Sequence, residues 1–387
     1  MKYILRALAM SQFHILYVVS LLMDMSVAGA TFAISRRAAE LGASAMELGL
    51  LGSVWLGAYT MLSLVSGRVS DRVGRRQVAL TGAAVAAVIV FACAFVTGVK
   101  PLLALTAVFG AGIGCYWPSI IAWLGDGASG SRLMHRLTRF GIAWNIGLLL
   151  GFAQTGWLFQ RDPRLAFYVA GASMAAIVAL LFLRAPAAAN AGNNDRPEDV
   201  TQVPKGRGFR KTAWLANFGL NLATGGAIAL FPQLATSLGI APNVHGALLA
   251  LGRAAALAMF FALHAWSYWR ARLWPLWIAQ LLAAAGVASV AWGGSAAAFA
   301  AAFVVMGAVS GYTYQTSILF TLEEISEKGK GGGFHEAIVG GGMFAGPILA
   351  GWAGGFSMRA PYVFCAGALV ALVGVQLVLV FWKRKHL

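Results

Sequence analysis

Charge is scarce in this chain. Only 11% of its 387 residues are Asp, Glu, Lys or Arg, and just 13 are acidic. A soluble domain carries about 25% charged residues, so a water-facing surface over the whole chain is excluded. Cysteine is scarcer still. Cys93, Cys115 and Cys365 all lie in apolar runs without metal-ligand spacing; they imply no disulfide framework and read as small buried apolar residues. The six histidines, His14, His135, His245, His264, His335 and His386, are scattered and form no zinc pattern. No Gly-x-x-x-x-Gly-Lys-Ser/Thr loop is present to cradle a nucleotide phosphate, so ATP is not the implied energy source. These absences set the expectation of a protein that is not an enzyme and holds no cofactor or metal.

What the chain has in abundance is apolar length. Hydrophobic residues make up 59% of it, and mean hydropathy is +0.74. A helix needs roughly 20 mostly apolar residues to cross a bilayer, where its backbone must satisfy its own hydrogen bonds. Runs of that kind predict helices over 13–35, 46–66, 77–97, 101–124, 138–160, 165–184, 212–237, 244–266, 273–292, 296–322, 334–356 and 360–382. The third and fourth are separated only by the breaker signals Gly98, Lys100 and Pro101. The predicted class is an all-α membrane protein with twelve transmembrane helices.

The formal net charge of +16 is explained by where the basic residues fall. With Met1 inside, 22 of the 29 Lys and Arg lie in inward tails and loops, six lie in outward loops, and Arg253 lies within a span. This is the positive-inside bias. It predicts a multi-pass protein of the plasma (inner) membrane with both termini cytoplasmic, and nucleic acid is not the expected partner. Lys2, Arg6 and the "AGA" at 28–30 outline a secretory leader. Against it, the apolar run is long, carries Asp24, and its removal would invert the loop charges of the eleven spans left.

The segment 185–211, polar and rich in Pro, Asn and Gly, reads as a cytoplasmic linker. It separates an N-terminal six-helix bundle, 1–184, from a C-terminal one, 212–387. The halves echo each other. "GLLLGFAQTGW" (147–157) matches "GMFAGPILAGW" (342–352) at an offset of 195, and "GAGIGCYW" (110–117) matches "GAVSGYTY" (307–314) at 197. Leu48-Gly49 against His245-Gly246 also falls at 197. Shared glycines have a packing reason, because small residues let helix backbones approach closely.

Between the second and third spans stands "GRVSDRVGRR" (67–76), with Gly67, Asp71, Arg72, Gly74, Arg75 and Arg76. A Gly-x-x-x-Asp-Arg-x-Gly-Arg-Arg stretch in that loop, with two parallel six-helix repeats around a cytoplasmic linker, resembles the major facilitator superfamily (MFS), over nearly the whole chain. Other motifs of that family are degraded: Thr106 stands where an arginine would precede Gly110, and Gly151-Phe152 replaces a Gly-Pro, which occurs instead at Gly346-Pro347. The resemblance implies the MFS fold and a secondary active transporter working by alternating access, with a proton gradient or the substrate's own gradient as the drive. A transporter-like sensor or scaffold without net transport is the alternative. The expected partners are a small-molecule substrate, protons and the lipid bilayer, and the expected state is a monomer.

Gly67 is expected to allow close packing and Gly74 to take a positive φ in the turn. The resemblance further implies that Gly67, Asp71, Arg72, Gly74, Arg75 and Arg76 form a conformational gate with Glu323, Glu324 and Glu336 of the other half. Each exposed charge link in such a gate is worth about 1 kcal/mol or less. Ionisable groups inside a span are costly and default to functional candidates, which singles out Asp24 and Arg253, with Glu336 shallower beside His335. Asn221 lies 197 residues after Asp24. Helices 1, 4, 7 and 10 line the cavity in the family, which implies Asp24, Ser20, Tyr116, Trp117, Asn217, Asn221, Tyr312 and Gln315 as lining residues, with Asn145 a weaker addition. The substrate-binding candidates are therefore Asp24, Tyr116, Trp117, Asn217, Asn221, Arg253, Tyr312 and Gln315. Asp24 and Glu336 are the candidates for proton coupling. For Asp24, a static ion pair with Arg253 and contact with a cationic substrate stay open.

Overall fold

The computed structural model describes residues 2–126, 130–184, 209–265, 268–324 and 328–385, and among them every regular element is helical. In chain order these are α1 (Lys2–Glu40), α2 (Ala45–Val73), α3 (Arg75–Cys93), α4 (Val99–Gly125), α5 (Gly130–Arg161), α6 (Pro163–Arg184), α7 (Arg210–Ser237), α8 (Pro242–Ala265), α9 (Trp274–Trp292), α10 (Ala296–Glu324), α11 (Lys328–Gly354) and α12 (Ala360–Lys385), with one 3₁₀ turn, Tyr268–Ala271. All twelve α-helices contain a stretch long and apolar enough to cross a membrane. The split between α3 and α4 falls at Gly98, which caps α4 in an extended conformation. Of the expected linker, residues 185–208 lie outside the described residues.

Helix ends repeat between the halves. α1 stops where Gly42 takes φ 80°, and α7 stops where Gly239 takes φ 66°. In each case the next amide reaches back five residues, Ala43 N–H to Ala38 O at 2.9 Å and Ile240 N–H to Ala235 O at 2.8 Å. This is the Schellman closure, in which a left-handed residue lets free carbonyls find donors. Gly42 and Gly239 are 197 residues apart.

The chain forms two compact units, Met1–Arg37 with Val54–Thr201 and Ala38–Ser53 with Gln202–Leu387. In the first unit α3 packs on α4 and α6. Gly147 and Gly151 of α5 face the carbonyls of Leu21 and Met25 on α1, and Gly110 and Gly114 of α4 face those of Trp55 and Tyr59 on α2. The second unit repeats both seams. Gly342 and Gly346 of α11 face Phe218 O and Leu222 O on α7; Gly307 and Gly311 of α10 face Gly252 O and Ala256 O on α8. Each carbonyl in the second set stands 197 residues after its counterpart. A side chain at these glycines would strike backbone, so the repeated residues mark the closest helix contacts.

Within the second unit α12 packs on α7 and α9. Gln280 and Gln376, both fully buried, exchange two amide hydrogen bonds between α9 and α12, at 3.1 and 2.8 Å. The first turns of α2 belong to this unit. Ser53 Oγ donates to Phe344 O at 2.7 Å, Gly49 and Gly52 lie against Pro347, and Gly351 lies against Ala45 O. The Gly-Pro of α11 thus sits in a seam that only small residues on α2 permit.

Candidate functional site

A chain of polar side chains crosses the interior of the second unit. It begins on α7, where Asn221 Nδ2 donates to the backbone carbonyl of Asn217 at 2.8 Å and to its Oδ1 at 3.0 Å. Asn217 Nδ2 meets Nε2 of His335 on α11 at 3.2 Å. On the far side of that ring, Nδ1 meets Glu336 Oε1 at 3.2 Å, and the same carboxylate oxygen accepts from Tyr314 Oη of α10 at 2.9 Å. Burial drops only at the end of the chain: His335 is fully buried and Asn217 and Asn221 nearly so, whereas the Glu336 side chain is 59% exposed.

The local sequence explains this convergence. Asn217 and Asn221 are one helical turn apart and share a face of α7. Gly342 brings α11 against that face, with Asn221 Cβ directly beneath it. His335, two turns earlier on α11, then reaches Asn217. Tyr314 closes the third side, its ring edge-on to His335 with centroids 5.0 Å apart. Beyond His335, Phe334 packs on Trp214 at 4.5 Å, Trp214 Nε1 donates to Thr321 Oγ1 at 2.8 Å, and Arg210 lies over the Trp214 ring.

Asp24 holds the matching place in the first unit. It is buried on the α1 face beneath Gly147, as Asn221 lies beneath Gly342. Tyr116 of α4 is close enough to interact with the charge of Asp24, and donates to Val19 O on the same helix at 3.1 Å. Trp117 stacks edge-on between Tyr116 and Phe140, at 5.0 and 5.5 Å. Ser20, the counterpart of Asn217, is turned onto Leu16 O, and Asn145 onto Gly141 O.

The stretch 67–76 is not the open loop expected from sequence. α2 runs on through Gly67 to Val73, and α3 starts at Arg75, leaving Gly74 alone between them. Gly74 takes φ 113°, the positive value anticipated for it. Open space surrounds Gly67, so close packing does not account for its glycine in this conformation. Asp71 pairs with Arg75 one turn on, and Arg75 Nε also faces Asp126 Oδ2 at the end of α4, 3.5 Å away. Arg76 donates to Leu181 O and Phe182 O at the end of α6, and Arg136 donates to Leu124 O and Asp126 O at 3.0 Å each. Cations on terminal helix carbonyls satisfy acceptors that have no partner within the helix. The side chains of Glu323 and Glu324 lie outside the described residues.

The remaining candidates are dispersed. Tyr312 is buried in an apolar cluster with Trp269, Leu263, Leu276 and Phe320. Gln315 is exposed and Arg253 half-buried on α8. Sequence reasoning singled out Asn217, Asn221 and Glu336 separately, and missed the residues that join them, His335 and Tyr314. Signals for both were present: Tyr314 is the offset-197 partner of Trp117, and His335 adjoins Glu336. Asp126 and Arg136, the partners behind the glycine-bracketed stretch, were missed as well.

A family model described as Major Facilitator Superfamily matches residues 16–331. Among curated proteins, none matches this sequence. Solved structures share the fold at low identity. A nucleoside transporter, NupG, aligns with a TM-score of 0.73 and 14% identity over 95% of this chain and 98% of its own. A POT family transporter in complex with 5-aminolevulinic acid aligns at 0.72 and 11% identity, over 95% of each chain. A bacterial homologue of the human lysosomal transporter Spinster aligns at 0.67 and 15%, over 94% of this chain and 95% of that one.

Proposed function

We propose, for a chain that belongs to the Major Facilitator Superfamily and is an integral multi-pass membrane protein, that it is a secondary transporter which moves a small polar molecule by alternating access and couples that movement to protons. The observation that carries the reading is the polar chain Asn221–Asn217–His335–Glu336–Tyr314, placed in three helices long and apolar enough to span. Polar groups inside a membrane are expensive, and they mark substrate and proton pathways. An exposed carboxylate joined to a buried imidazole is the chemistry a proton link needs. The paired amides offer donors and acceptors to a substrate rich in hydrogen-bonding groups, such as the nucleosides or peptides named for the structural relatives. Asp24, in the equivalent place of the first unit, is the second coupling candidate.

The stretch from Gly67 to Arg76 is proposed for the conformational role, with Gly74 as its pivot. The distribution of basic residues supports cytoplasmic termini in a plasma membrane. The test is uptake into proteoliposomes from a panel of nucleosides, short peptides and amino acids. Wild-type protein should accumulate at least one class, and Asn217→Ala should abolish that uptake while the purified variant keeps its unfolding temperature. Binding without uptake for every member of the panel would favour a sensor and overturn the proposal.

A further inference from the structure

His335 stands between an acid and an amide, and its two ring nitrogens cannot both be read the same way. Asn217 Nδ2 is a donor, so the contact at 3.2 Å requires a lone pair on Nε2. A neutral imidazole with Nε2 free carries its proton on Nδ1, and that proton points at Glu336 Oε1, 3.2 Å away. The carboxylate accepts it together with the hydroxyl of Tyr314. Asn217 Oδ1 is left to accept from Asn221 Nδ2 at 3.0 Å. Every donor in the series thus has an acceptor, in one direction only, from Asn221 toward Glu336.

A proton taken from water onto Nε2 breaks this order. The ring becomes an imidazolium that donates at both nitrogens. Nδ1–H keeps its carboxylate, but Nε2–H now faces the Asn217 amide donor. The contact is restored only if the Asn217 amide turns over and offers Oδ1. That oxygen is then withdrawn from Asn221, which faces Nδ2 instead and keeps only its bond to the Asn217 backbone carbonyl. One proton is gained, no covalent bond other than the new N–H forms, and one amide–amide hydrogen bond is exchanged.

We infer that His335 is the proton-linked positioning residue of this site, converting protonation at Nε2 into reorientation of the Asn217 and Asn221 amides. The inference deepens the transporter reading and rests on it for its consequence, that the amides offered to substrate differ between the two proton states. Among the described residues, few groups meet the ring. α7 brings Asn217, with Arg210 further back over Trp214. α10 brings Tyr314, and α11 itself brings Glu336. Glu336 is thus the one carboxylate at the ring among the described residues.

The experiment is nitrogen NMR of the full chain in lipid nanodiscs, labelled at histidine and asparagine. His335→Gln identifies the ring signal, and Asn217→Ser and Asn221→Ser identify the amide signals. In the wild type, Nε2 should lack a proton and Nδ1 should carry one at the alkaline end. On acidification Nε2 should gain a proton, and both amide signals should move with the same midpoint. His335→Gln should abolish that movement, and Asn217→Ser should leave the ring titrating while the Asn221 signal stays still. The inference is overturned if Nε2 carries a proton across the whole pH range, or if the ring titrates and the wild-type amides do not follow. None of these readouts requires a substrate. An uptake panel that fails would therefore defeat the transporter reading while the NMR result still stands.

Discussion

Consider Gly114→Ala in α4 and Gly311→Ala in α10, two residues 197 apart in the chain. A Cβ built at Gly114 lies 2.5 Å from Tyr59 O, and one at Gly311 lies 2.6 Å from Ala256 O, where ordinary contact begins near 3.4 Å. Each seam must open by roughly 0.8 to 0.9 Å, and its neighbour is helix backbone rather than a side chain that can swing aside. Overpacking of this kind costs about 1–3 kcal/mol. Alanine in place of a helical glycine returns up to about 1 kcal/mol, so the net is a loss in both variants. The control is Gly367→Ala and Gly374→Ala in α12, where nothing lies within 4 Å of the new carbon. There only the gain remains. The sign therefore separates the two classes, which no general intolerance of substitution would do. Purified variants are compared by tryptophan-fluorescence melting in one detergent. The expected result is a fall of several degrees for Gly114→Ala and for Gly311→Ala, similar in size, with Gly367→Ala at or above wild type. Equal falls in both classes, or no fall at the seams, would refute the reasoning.

Two further predictions concern buried polar groups and backbone strain. Gln280→Leu should destabilise the protein by about 1–3 kcal/mol, because it strands the buried Gln376 amide; Gln280→Leu with Gln376→Leu should be more stable than either single variant, measured in the same melting assay. Gly74→Ala should cost about 1–3 kcal/mol, since φ 113° is a region side chains avoid, and limited proteolysis of the α2–α3 junction should quicken in that variant alone.

The fold was legible because membrane solvation leaves little freedom. Apolar runs of spanning length could only be helices, and breakers as slight as Gly98 placed their ends. The repeated glycines were legible for the same physical reason that they are structurally repeated: they mark backbone contact. Helix α2 was harder to read, since its last two turns, with Arg68, Asp71 and Arg72, look like a charged loop by composition. It stays helical to Val73, with Gly74 N–H still closing on Ser70 O at 3.1 Å, and Gly74 absorbs the whole bend. The site was legible only in pieces. Tyr312 and Tyr314 are two residues apart on one helix and so point about 200° apart; both adjoin Thr313, and nothing local says that Tyr314 meets Glu336 while Tyr312 enters an apolar cluster. His335 gains its meaning from Asn217, 118 residues earlier, a contact that depends on how α11 lies on α7.

The most direct test of the central claim is internal pH in proteoliposomes, followed with an enclosed dye when a transported member of the substrate panel is added outside. The account predicts that substrate entry carries protons with it in the wild type, and that Glu336→Gln still binds and exchanges substrate but no longer moves protons with it. Substrate movement with no change of internal pH in the wild type, or an undiminished pH change in Glu336→Gln, would contradict it.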